Sequence, residues 1–471
     1  MKKLFLLSFF IAFISCSKNS AVTVELEQDF TINEISRLRI NPASSVITPD
    51  EAINVVKFAD MMSKTATKSA SKQIADVITL SDEKGVPLIY AVNYADGQGY
   101  KLVSAIKDYY PILAMVDRGT FSDEVYKTGA SVLLDEYINS IGNVDKLPND
   151  VKEGFRKLWQ QFEKRDNGIP VLTKLNEFDT FIVNTLQGWE NDVNVHDFYN
   201  LSEAQTRLPS SLYASFCAAA EGMAHPAYDY MTYAYVVERV AGDDVNTGNY
   251  LLETLWHQEE PYNHSMEYLG MSNYQAVGCN AVALGQIMKY HQWPSTYPWS
   301  NIPNILPYIE GETNLSLLLK DIAEEIQLDN QPINNSNASN CYSALTNVYG
   351  YSCTISSHNR DLVINSIVND RPVYMSGTSS SDGHAWVCDG FEDVRRQMVY
   401  TLYVIATSSD LEYVSACEPY FGEILSEGYY FHMNWGQQYS TNGWYLDGPY
   451  AMGNIVYNND RIDITNIRKS N

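Results

Sequence analysis

Cys279 follows Gly278 and opens a run, Asn280 to His291, whose small and apolar residues read as a helix. A thiol on a first helical turn lies beside backbone N–H groups that have no partner inside the helix. It also sits at the positive end of the dipole, and both effects favour thiolate, the form that attacks carbonyl carbon. Far downstream, Gly383-His384-Ala385-Trp386-Val387 sets a histidine at the start of an apolar, strand-like segment, where an imidazole could face that thiol as general base. Taken singly, each residue has a plainer reading: a packing cysteine, a satisfied core histidine. Together they predict acyl-transfer chemistry.

Other polar residues point elsewhere. The eight histidines include no HExxH and no clustered spacing, so neither a metal nor another cofactor is expected. His291 and His432 read as packing or hydrogen-bonding residues, as do Tyr290 and Trp293 at helical spacing. The acidic run at 321–325 reads as a solvated face.

The elements that must position the pair follow from periodicity. From Tyr250 onward, helices are expected at 280–291, 314–325 and 341–349. Strands are then expected at 372–376, 384–391, 398–406, 429–434 and 443–447. Helices first and a mostly antiparallel sheet after is an α+β order. Ahead of it, Thr48-Pro49-Asp50-Glu51 is a capping box with proline at the first helical position, before a helix to Met62. Strands at 74–80, 87–94, 99–106 and 110–116 follow, with Asp96-Gly97 as a hairpin signal, which makes a small α+β domain. Residues 129–245 read as a helical connector without chemistry of its own, ending in the polar stretch 242–248.

A chain of 471 residues predicts roughly two to four domains. Its formal charge of −25 argues against nucleic acid as a partner. Lys2-Lys3 followed by the apolar residues 4–14 reads as an export signal, too short to span a bilayer as a stable helix. It ends at Cys16, in the manner of a lipoprotein signal cleaved before a lipid-bearing cysteine, with ordinary secretory cleavage as the alternative. The expected location is therefore the cell envelope or outside the cell, with any membrane attachment through lipid alone. The remaining cysteines have irregular spacing and no CxxC, so most are expected to be free thiols.

Four blocks now carry a resemblance: Trp256-His257-Gln258-Glu259-Glu260-Pro261-Tyr262-Asn263; Gly278-Cys279 with Gln286 to Pro294; Gly383-His384-Ala385 with Asp389-Gly390; and His432-Met433-Asn434-Trp435-Gly436 with Asn442-Gly443. In that order they resemble streptopain-type cysteine peptidases, papain-like bacterial endopeptidases made as zymogens, and the N-terminal domain resembles the streptopain propeptide. The resemblance implies a catalytic pair Cys279 and His384, an oxyanion-hole Gln258, and Asn434 orienting the histidine under Trp435. Gly278, Gly383 and Trp435 would border the substrate groove. It also implies proteins or peptides as substrates and the chain's own propeptide as inhibitor. The implied organisation is a signal at 1–15, an inhibitory propeptide domain at 16–128, the connector at 129–245 as part of the pro-region, and a papain-like peptidase domain at 246–471. Activation cleavage is expected between Arg239 and Thr247, with Arg165-Asp166 as an intermediate site.

Three departures stand out. Trp435-Gly436 is followed by Gln437-Gln438-Tyr439 in place of a second tryptophan and glycines. Asn280 stands where a small or β-branched residue is common. An insert at 392–428 separates two strands and could overhang the cleft. The alternatives are an amidase or transpeptidase using the same residues, or a surface-binding lipoprotein without catalysis.

Overall fold

Thr48 and Glu51 cap the first helix reciprocally: Glu51 N–H donates to Thr48 Oγ1 at 3.2 Å and Thr48 N–H to Glu51 Oε2 at 2.9 Å. In this computed structural model the described residues are 38–470, without 63–71, 123–127, 164–183, 190–191, 193, 224–230, 243–248, 271–272, 327–334, 379–382, 408–411, 438–440 and 448–460. The chain divides into two compact units. One comprises 40–160, 244–395 and 426–471; the other comprises 161–243 and 396–425 together with the N-terminal residues to 39.

In the first unit, helix Pro49–Met62 buries Ala52, Val55, Val56 and Phe58. It lies on a meander of strands Ile74–Ser81, Pro87–Tyr94, Tyr100–Ser104 and Ile112–Val116. The Asp96-Gly97 turn has φ of 56° and 64°, the left-handed conformation that tight hairpins need. Two helices, Ala130–Ile141 and Asn149–Trp159, follow within the same unit.

The C-terminal part of this unit begins with helix Cys279–His291, whose residues 279–288 are all buried. Gly285 lets a second helix, Asn314–Glu325, come close: a Cβ there would lie 2.9 Å from Leu319 Cδ2 and 3.2 Å from Trp256 Cζ3. The sheet beneath is mostly antiparallel. From the meander it runs through Gly443–Leu446, the end of Tyr420–Asn434, the start of Gly383–Thr407, Val373–Thr378, Ile462–Lys469 and Tyr351–Ser357. The N-terminal meander joins the C-terminal sheet where Trp444 pairs with Met115 and Tyr445 with Ala114.

The second unit corrects one expectation. The stretch expected as a helical connector holds strands Val195–Asn200 and Met231–Gly242 beside helix Ser210–Met223. The insert at 392–428 carries the strand expected at 398–406. Residues 396–407 continue one long strand and pair in unbroken register with 231–242, from Arg396↔Gly242 to Thr407↔Met231. Strand alternation gives this small sheet two apolar faces. Tyr235, Val237 and Ile405 meet Leu186, Trp189, Val195 and Phe198 on one side. Val236 and Leu402 meet Tyr199, Leu208, Leu212 and Phe216 on the other.

Candidate active site

Gly278 precedes the helix with φ 85° and ψ 146°, a conformation that a residue with a Cβ adopts only under strain. No atom lies within 4 Å of where that Cβ would be, so the approach to the helix start is open. Cys279 occupies the first helical position and is 7% exposed. Gln258 is tied to this entry by its carbonyl, which accepts from Val277 N–H at 3.1 Å, and its side chain is half-buried.

His384 lies near the start of strand Gly383–Thr407, opposite Gly377 of Val373–Thr378. Its Nε2 is 2.8 Å from the backbone carbonyl oxygen of Trp435. A carbonyl only accepts, so Nε2 carries a proton in this contact. Trp435 is itself fixed, since its N–H donates to Asn442 Oδ1 at 2.9 Å. Its indole is fully buried against Trp386 at 4.8 Å and Tyr445 at 5.3 Å between ring centroids, which keeps water from that segment. The next residue, Gly436, has φ 64°, and a Cβ on it would come 2.8 Å from Val282 Cγ1. Val282 is one turn on from Cys279. One short segment therefore grips the histidine with its carbonyl and seats on the helix that Cys279 opens.

Asn434 does not touch His384. Its Nδ2 donates to the Thr254 carbonyl at 2.7 Å, and its Oδ1 accepts from Gln286 Nε2 and Gly436 N–H, both at 3.3 Å. The histidine contact expected of Asn434 is made instead by the backbone of Trp435. Asn434 secures the turn that presents that carbonyl. Asn442, quoted only as part of a block, proves to be the side chain that holds Trp435. Gly383 is half-buried at the mouth of the histidine strand, and Cys16 lies outside the described residues.

The histidines read as structural stay so. His432 Nδ1 is 2.7 Å from Asp389 Oδ1 and stacks on Tyr250 at 4.1 Å. Burial, aided by Lys469, lowers His291 to about 4, leaving it neutral. All six described cysteines are free thiols. Among the described residues no cluster could hold a metal ion, and no helix is long and apolar enough to cross a membrane.

The segment just beyond residue 128, expected to open the connector, stays in one unit with residues 40–128 and reaches this site. A Cβ on Gly129 would lie 2.0 Å from His384 Cδ2, so the bare backbone of Gly129 rests on the imidazole. Gly129 N–H donates to Gln437 Oε1 at 2.7 Å, and Gln437 is one of the departures noted above. A few residues on, Glu136 is buried with its Oε2 3.5 Å from Arg461 Nη1, and neither carboxylate oxygen has a hydrogen-bond partner among the described residues. Burial raises its pKa to about 7 against the pull of Arg461 and His358. Arg461 also faces Asp447, which with Asp463 holds His358 at 3.1 and 2.8 Å. Burial and Arg461 oppose charge on His358, but the two carboxylates prevail and raise it to about 9.

Residues 256–297 and 295–445 match the model of the Peptidase C10 family, and residues 44–141 that of the Spi protease inhibitor. The thiol protease/hemagglutinin PrtT of Porphyromonas gingivalis is 27% identical over 176 residues, 29% of this chain and 20% of that protein. Streptopain of Streptococcus pyogenes is 29% identical over 163 residues, 26% of this chain and 41% of that protein. The match thus spans well under half the length of these curated relatives. A prointerpain A fragment of Prevotella intermedia superposes with a TM-score of 0.40 at 13% identity, covering 83% of this chain and 97% of that one. Residues 256–445 are thus similar to the Peptidase C10 family, and residues 44–141 ahead of them to the Spi protease inhibitor.

Proposed function

We propose that this chain is the zymogen of an exported cysteine endopeptidase. Cys279 attacks the scissile carbonyl. His384, with its Nε2 proton committed to the Trp435 carbonyl, takes the thiol proton at Nδ1 and then returns it to the leaving amine. The Gln258 side chain and the Cys279 N–H stabilise the oxyanion, and loss of one such donor costs about 3–4 kcal/mol in the barrier. The observation that carries the zymogen reading is Gly129, inside the inhibitor domain, lying on the ring of His384. While that contact persists, a substrate cannot settle against the imidazole.

Activation then requires a cut between the two halves. Arg239 lies in a strand paired on both sides, with Val399 and with Val195, so its backbone is withheld from a protease. The expected window narrows to residues 243–247. Arg165-Asp166 lies outside the described residues. The charged N-terminus and Cys16 support export with a lipid anchor on that sulfur.

The test is the full chain on casein and a quenched fluorogenic peptide, with and without an epoxysuccinyl thiol inhibitor. The wild type should process itself, cleave both and be blocked, while Cys279→Ala stays full-length and inert. A Cys279→Ala chain that keeps every activity would favour the surface-binding reading. Turnover of small amides alone would favour an amidase.

A further inference from the structure

Asn280 departs from the family's pattern, and its surroundings give it a task. It is 1% exposed at the second position of the nucleophile's helix. Tyr374 Oη lies 2.5 Å from Asn280 Oδ1, and Cys341 Sγ lies 3.5 Å from the same oxygen. Both neighbours are fully buried. Burial pushes the Cys341 thiol up to about 12 and the Tyr374 phenol well above its ordinary value, so both keep their protons and present them as donors. Tyr374 and Cys341 also meet each other, and two protonated groups converging on one carboxamide atom assign that atom as the oxygen. The other end, Nδ2, then points at Cys279 Sγ, 4.0 Å away.

We propose that Asn280 is a built-in donor to the Cys279 thiolate, held in its working orientation by Tyr374 and Cys341. A neutral thiol is a weak acceptor, and 4.0 Å suits that state. When the thiol loses its proton the sulfur becomes a strong acceptor, and the fixed N–H favours that form over the thiol. An apolar residue at this position would leave the helix start and His384 as the main stabilisers. Tyr374 and Cys341 act only through Asn280 and are positioning residues. No bond to carbon is made or broken by the amide, and no proton leaves it.

This deepens the peptidase reading, because it matters only if Cys279 works as a thiolate. The experiment therefore reads the thiol directly. In the activated enzyme, the iodoacetamide alkylation rate at Cys279 is followed from pH 4 to 10 by peptide mass spectrometry, which separates it from the other cysteines. Asn280→Asp keeps an oxygen for Tyr374 and Cys341 but replaces the N–H with an acceptor that can ionise. The midpoint for Cys279 should rise by about one pH unit, so that alkylation near pH 6 slows about tenfold. Tyr374→Phe frees the carboxamide to turn and should shift the midpoint the same way by a smaller amount. If Asn280→Asp does not fold, as judged by circular dichroism, Tyr374→Phe decides. Midpoints unchanged from wild type in the folded variants overturn the inference. A wild-type midpoint at the ordinary cysteine value would instead overturn the peptidase reading.

Discussion

Nε2 of His384 lies 2.8 Å from the carbonyl oxygen of Trp435, and that contact, not one to Asn434, fixes the ring. A backbone acceptor cannot be removed by substitution, but the residues that aim it can. Asn434→Ala leaves the Thr254 carbonyl, Gln286 amide and Gly436 N–H without their shared partner. It should lower unfolding stability by about 1–3 kcal/mol. The limb of the pH–rate profile that reports the histidine should barely move. An inflection displaced by a whole unit in a stably folded variant would return the orienting role to Asn434.

Gly129 is the only residue type that fits against the imidazole, because a Cβ would stand 2.0 Å from Cδ2. Gly129→Ala should therefore loosen the inhibitor at that point. Labelling of Cys279 by an active-site probe in the unprocessed chain should rise several-fold. Gln437→Ala removes the acceptor for Gly129 N–H, worth about 1 kcal/mol, and should raise labelling about fivefold. Labelling that stays flat in both variants would show that the inhibitor is held elsewhere.

Glu136 gives the zymogen a pH dependence whose sign can be worked out. Its pKa is raised from 4.5 to about 7 by burial, so the docked state binds the proton more tightly than the free one. The stability it contributes is whole below about 4.5 and is lost as pH rises through about 7. His358, raised to about 9, loses its contribution only at higher pH. Asp447, held below its ordinary range against burial by His358, Arg461 and Arg360, loses its contribution only in stronger acid. The thermal midpoint of the full-length Cys279→Ala chain should fall between pH 5 and 7.5, and Glu136→Gln should flatten that fall. A parallel fall in Glu136→Gln would contradict this.

The strand 231–242 predicts that activation leaves a two-chain enzyme. It pairs along its length with 396–407, and the two build common cores through Val236, Val237, Leu402 and Ile405. A cut after residue 242 severs the chain but none of those contacts. Size exclusion of the activated protein should show a fragment ending near residue 243 travelling with the catalytic domain until denaturant is added. Its loss on simple dilution would contradict the prediction.

What could be read from sequence was what short range encodes. The Thr48 capping box, the Asp96-Gly97 hairpin, the helix behind Cys279 and the strand bearing His384 all announce themselves within a few residues. The second unit did not, because nothing local states that 231–242 pairs with residues some hundred and sixty positions on. In the site, side-chain identities were legible while the Trp435 carbonyl was not, since every residue has one. The orientation of Asn280 likewise depends on Tyr374 and Cys341, which no spacing rule connects to it.

The account rests on Cys279 being activated by His384. The decisive measurement is the site and rate of epoxysuccinyl modification in the activated enzyme, mapped by peptide mass spectrometry, for wild type and His384→Ala. Modification of Cys279 alone, slowed by orders of magnitude without the imidazole, is the predicted result. Equal rates in the two proteins, or adducts spread over the other cysteines, would contradict it.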